Sequence, residues 1–168
     1  MTPHRAGALL AAAVLACGCQ GYTYTLNDRT VFTPPPLYAG YEIADRALAD
    51  CVQQAIEDQH ITAPTQLEDL NCSAAGIESL AGLGVFTGLK RLGLDGNRLT
   101  GVAGIENLRK LELLQLRDNR LAGQDPAMCG TGRSVALSGN EGFRCEDLEV
   151  LRACGVTLAD VPAACAGR

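Results

Sequence analysis

The chain has 168 residues, of which 47% are hydrophobic but only 4% aromatic, and it has no Trp, so its core must be aliphatic. A formal charge of −5 without a basic stripe argues against nucleic-acid binding, where Lys and Arg neutralise phosphate, and against electrostatic docking on anionic lipid. One domain is the natural expectation at this length, and eight cysteines form a disulfide set only in an oxidising compartment.

Residues 1–16 have the form of an export signal: Arg5 and His4 precede an apolar run from Ala8 to Ala16 that is too short to span a bilayer. The run ends in Val14-Leu15-Ala16-Cys17, which resembles the bacterial lipobox. That resemblance implies cleavage before Cys17, a diacylated Cys17 and an acylated new amino terminus. By resemblance to Gram-negative lipoproteins, Gly18 rather than Asp after the cysteine implies the outer membrane of the cell envelope. The competing reading is an ordinary secretory signal that leaves Cys17 and Cys19 free for disulfides.

Residues 17–41 then change character, with strand-like Tyr22–Thr25 and Thr30–Thr33 followed by Pro34-Pro35-Pro36. Such a segment suits a stiff, lipidated spacer. The concentration of Tyr equally suits a segment that packs on the domain. Within residues 42–66, the apolar residues Ala44, Ala47, Leu48, Cys51, Val52, Ala55 and Ile56 follow helical spacing and predict an amphipathic capping helix from Ile43 to Gln59.

Residues 67–142 repeat with a period of 22. Leu67, Leu70, Cys72, Ala75 and Ile77 align with Leu89, Leu92, Leu94, Asn97 and Leu99, and again with Leu111, Leu114, Leu116, Asn119 and Leu121. Val135, Leu137 and Asn140 form a weaker fourth copy one residue early. This pattern resembles the internalin-type leucine-rich repeat. The resemblance covers roughly residues 43–165 and implies an α/β solenoid. About three or four parallel strands would line its concave face, between a helical N-terminal cap and a cysteine-rich C-terminal cap at 143–168. It also implies that Asn97, Asn119 and Asn140 turn inward and bond backbone of adjacent turns. Ala75 in place of Asn, and the loss of the return pattern at Gln124-Asp125-Pro126, are departures expected of end repeats.

Cys51 on the helix face and Cys72 at an inward position are the expected disulfide pair. Cys129, Cys145, Cys154 and Cys165 allow three pairings that sequence does not separate, and Cys19 stays unassigned. A second helix is expected from Glu146 to Ala153 with Leu148, Val150 and Leu151 inward and Gly155 as its stop.

Chemistry is sparse. His60 is the only histidine after the signal and falls at a helix end, a structural position. No zinc-ribbon, thioredoxin or phosphate-loop motif is present. The sequence therefore predicts no catalytic residue, cofactor or metal. It predicts instead a concave surface on which Leu113 is flanked by Arg91, Asp95, Gln115 and Arg117. The expected function is a membrane-anchored module that binds a protein partner. The alternative is a structural or self-associating envelope component.

Overall fold

The computed structural model describes residues 24–26, 29–130 and 132–167. Residues 1–16, Cys17 and Cys19 lie outside the described residues, and with them the expected signal and lipidation site. The chain divides into two compact units, 1–35 and 36–168. In the first, β1 (Tyr24–Leu26) and β2 (Arg29–Phe32) form an antiparallel pair with a register irregularity at Tyr24/Thr25.

The second unit is α/β: a five-stranded parallel sheet with two helices. Its strands are β3 (Asp69–Asn71), β4 (Arg91–Gly93), β5 (Leu113–Gln115), β6 (Ser134–Ala136) and β7 (Thr157–Asp160), in sequential order. Asp69 stands beside Arg91, and Arg91 beside Leu113, so the registers advance by the 22-residue sequence period. The step to Ser134 is one residue shorter, as the early fourth copy requires. Sequence reasoning had three or four strands; β7, inside the expected C-terminal cap, makes five.

One face of each strand supplies the core. Leu70, Leu92, Leu114 and Val135 are paired neighbours across the sheet and all are buried. Leu67, Leu89 and Leu111 precede them, and Cys72, Leu94, Leu116 and Leu137 follow, also buried. The return segments add Leu83, Phe86, Ile105 and Leu108. Burying one such aliphatic side chain contributes about 1.5–3 kcal/mol, which substitutes for the missing aromatics. Turns stack closely where no Cβ intervenes: a Cβ at Gly104, whose φ is +111°, would collide with the Leu80 carbonyl.

Between strand and return segment the backbone has no ladder, and buried amides still need partners. Asn97, Asn119 and Asn140 supply them from buried positions. Asn119 Oδ1 accepts from Leu99 N at 3.0 Å, while its Nδ2 donates to Leu94 O, Leu116 O and Arg117 O. Asn97 spans the preceding pair of turns in the same way, accepting from Gly76 N and Ile77 N and donating to Cys72 O and Leu94 O. Asn140 accepts from Leu121 N and donates to Leu116 O and Leu137 O. Each Asn ties its own turn to the one before.

The N-terminal end is closed by α1 (Arg46–Asp58), whose Leu48, Val52 and Ile56 are buried. Asp45 caps it through Leu48 N, and its other oxygen accepts from Glu78 N and Ser79 N, clamping the helix start to the first return segment. The boundary between the two units lies between Pro35 and Pro36. Tyr38 and Tyr41 pack on buried Phe86 at centroid distances of 6.0 and 5.5 Å, so this end of the Tyr/Pro-rich segment belongs to the domain.

At the other end, α2 (Cys145–Ala153) buries Leu148 and Leu151 but leaves Val150 exposed, against the expectation that all three face inward. Positions 148 and 151 are one turn apart, whereas 150 points elsewhere. Gly155, at φ +92°, follows the helix. Three disulfides join Cys51–Cys72, Cys129–Cys154 and Cys145–Cys165. The first fastens α1 to the end of β3, and the other two select one of the three C-terminal pairings. Arg133 is also buried, its guanidinium donating to the carbonyls of Leu108, Leu111, Ala127, Met128 and Cys129. Burial lowers its pKa, and the carbonyl cage fills the space where the third copy loses its return pattern.

Asn119→Ala should cost about 3 kcal/mol, because it strips partners from several buried amide and carbonyl groups at once. Urea unfolding checks it: a loss similar to that of an exposed surface substitution would show that the Asn bonds are not needed.

Candidate functional site

The strand residues that alternate with the core leucines form the open face of the sheet. The structure brings Arg91 and Leu113 side by side across β4 and β5, with Gly93 beside Gln115 in the next row. Asp95 and Arg117 follow just beyond the strands.

The charged members of this face are paired with one another. Arg91 is bound to Asp69 of β3, both of them well exposed, so the pair adds little to stability. Arg117 sits between two carboxylates, 3.1 Å from Asp95 Oδ2 and 2.5 Å from Asp160 Oδ2. Asp95 Oδ1 also accepts from Arg117 N. Asp160 Oδ1 accepts from Leu137 N and Ser138 N. Asp160 thus ties β7 back to β6 and, through Arg117, to β5. Partial burial pushes its pKa up, but the Ser138 and Leu137 amides and the Arg117 guanidinium outweigh it and hold the carboxyl below its ordinary value. The hydrogen bond from Arg117 to Asp160 raises the arginine in turn.

The residues expected from sequence to form the contact surface are therefore of two kinds. Arg117, Asp95 and, more loosely, Arg91 are engaged in ion pairs. Leu113 and Gln115 are half-buried on the face itself. Sequence reasoning missed Asp160, which lay in a segment read as a cap. The Asp160 signal was absent because no repeat position predicts it.

A groove of about 540 Å³ runs along the face between β3–β5 and the flank of α1. Ala55, Asp58 and Gln59 form its helical wall, and Asn71, Gly93, Leu113 and Gln115 form its floor. The Gln59 amide donates to Asp69 O, so the wall is hydrogen-bonded to the edge of β3. His60 lies outside the groove at φ +54°, exposed, just past the end of α1. Among the described residues no group of His, Cys, Asp and Glu is arranged to hold a metal ion, and no helix is long and apolar enough to cross a membrane. Comparison with protein-family models and with curated proteins returned no match.

The depressed pKa of Asp160 fixes a pH dependence. Its folded value lies below the unfolded one, about 3.9, so its contribution is fully present above that value and is lost as pH falls through the folded pKa. Asp160→Asn should therefore be less stable than the parent at neutral pH, with the difference shrinking as the solution is acidified below about pH 4. Parallel urea titrations at neutral and acid pH measure this, and a gap that persists or widens in acid would show that the carboxylate charge is not what matters.

Proposed function

We propose that the chain is a short, internalin-type leucine-rich repeat solenoid, anchored to the cell envelope through acylated Cys17, whose open sheet face binds a protein partner. The observation that carries this reading is the agreement between the 22-residue sequence period and the strand register, joined by Asn rungs at the same position of successive turns. An array of this kind presents a row of outward side chains that the core does not use. Here that row forms the floor of a groove. Residues 42–66 and 143–168 act as caps, and the outer membrane is the favoured location. The chemistry is recognition rather than catalysis: His60 stands exposed at a helix end, away from the groove.

Because Arg117 is held by Asp95 and Asp160, Leu113 and Gln115 are left as the contact residues of the face. Substituting Leu113 with Asp should abolish partner capture with little loss of stability, as its side chain is only half-buried.

The test is a photo-crosslinking residue at position 115 in the membrane-bound protein, with Cys17→Ala run beside it. Capture of one dominant protein, together with release of the Cys17→Ala chain from the membrane, is the expected outcome. Crosslinks only to a second copy would favour the self-associating structural role. An unchanged membrane fraction for Cys17→Ala would remove the lipid anchor.

A further inference from the structure

Residues 36–168 contain only four aromatic residues, Tyr38, Tyr41, Phe86 and Phe143. Three of them meet at one place, with ring centroids of Tyr38, Tyr41 and Phe86 between 5.5 and 6.1 Å apart. Phe86 is fully buried beneath, whereas both Tyr rings are half-buried. The two Tyr line a cleft of about 940 Å³ between residues 37–43 and α1, within the range of about 300–1,000 Å³ typical of ligand sites. Its walls are fixed by the fold. Tyr38 N donates to Ile61 O at 2.8 Å, and the Tyr38 hydroxyl donates to Gly40 O at 2.5 Å. At Gly82 a Cβ would collide with the Glu42 carbonyl, so the segment sits directly on the first return turn. A cleft set in advance loses less freedom on binding.

The charge in this cleft has one sign. Besides the two Tyr, its polar side chains are Glu42, Gln53 and Glu57, and no Lys, Arg or His lines it. Gln53 Nε2 donates to Glu57 Oε1 at 2.9 Å, which leaves the two carboxylates at the exposed rim without a charged partner. Among the described residues neither takes part in an ion pair, and the neighbouring Arg46 is paired with Asp50. The Glu57 charge reaches the aromatic cluster: burial first, and then this carboxylate, raise the Tyr41 phenol above its ordinary pKa. Glu57 also stands in the last turn of α1, which carries no basic residue, so the negative end of the helix dipole adds to its field. Aromatic faces attract a cation as well.

The remaining lining is apolar: Ile43, Ala44, Ala49 and Ala81. From Ala49 to Glu57 the α1 wall runs about 12 Å at about 1.5 Å per residue. That leaves room for an aliphatic stem behind a charged head, which is how Lys and Arg side chains lie along apolar surface.

We infer that this cleft takes a Lys or Arg side chain of a protein partner, its stem along Ala49 and Ile43 and its cationic head between the Tyr38 and Tyr41 rings and Glu57. The cleft lies on the flank of α1 formed by Ala49, Gln53 and Ile56, whereas Cys51, Gln54 and Ala55 face the sheet groove. It is thus a second site and does not rest on the reading of the sheet face.

The probes are fluorescent Gly/Ser heptapeptides with Lys, Arg, norleucine or Glu at the centre, titrated with the full chain in neutral detergent and read by anisotropy. The Lys and Arg peptides should bind saturably, and the norleucine and Glu peptides about tenfold or more weaker, a difference of about 1.4 kcal/mol. Added salt should weaken the Lys peptide. Its Kd should rise severalfold in Glu57→Gln and in Tyr41→Leu, yet stay the same in Tyr41→Phe, which keeps the ring face, and in Glu149→Lys on α2. Glu57→Gln and Tyr41→Phe, both conservative, decide the matter should Tyr41→Leu prove unstable in urea. Equal binding of the norleucine peptide would reduce the cleft to an apolar groove. Choline bound as tightly as the Lys peptide would remove the protein partner. Absence of saturable binding, or a Lys-peptide Kd unchanged in Glu57→Gln, would also overturn the inference. None of these outcomes bears on capture at position 115.

Discussion

Everything in the second unit depends on satisfying the backbone where it leaves the sheet. Each strand has only three or four residues, so most of each turn has no ladder to join. Water cannot serve those groups, because the leucines on either side exclude it. The side chains of Asn97, Asn119 and Asn140 take its place, each holding two turns at a fixed separation. Asn suits this because one short side chain both accepts and donates. The leucines supply most of the free energy, while the asparagines determine that it is released in one arrangement.

The open face follows from that arrangement. Once the turns are stacked at a constant offset, the residues between the leucines line up across strands whatever their identity. Ionic neighbours then arise by register: Asp69 meets Arg91, and Asp95 meets Arg117. With the arginines engaged in ion pairs, Leu113 and Gln115 stand half-buried between them.

The sequence shows most of this where a residue acts through its own repeat. Leu92 and Leu114, or Asn97 and Asn119, occupy the same place in successive copies, and their burial and bonding can be read from spacing. What it hides acts across copies or outside them. Thr157–Asp160 carries neither the leucine pair nor the Asn, and it becomes a strand because β6 would otherwise leave an open edge. Arg133 is bound by contacts no single repeat predicts: its guanidinium donates to three carbonyls of the irregular turn before it, Ala127, Met128 and Cys129, and to Leu108 and Leu111 one turn earlier. Tyr38 and Tyr41 follow a proline run that suggests a spacer, but Phe86, far along the chain, offers them an aromatic surface. Cysteine pairing at the C-terminal end depends on the folding-back of β7 and could not be read locally.

The placement of the disulfides has a further consequence. One joins α1 to the first strand, the other two lie at the last turns, and none crosses the chain between Cys72 and Cys129. In a linear stack each layer touches only its neighbours, so thermal melting begins at the outermost layers, which have a neighbour on one side alone. Here those layers are the ones covalently closed. The interior layers, held only by leucine and asparagine, are reached only by breaking the stack in its middle, where both neighbours resist. The second unit is thereby protected against unravelling from its tips, the route most open to proteases, without a cross-link between Cys72 and Cys129.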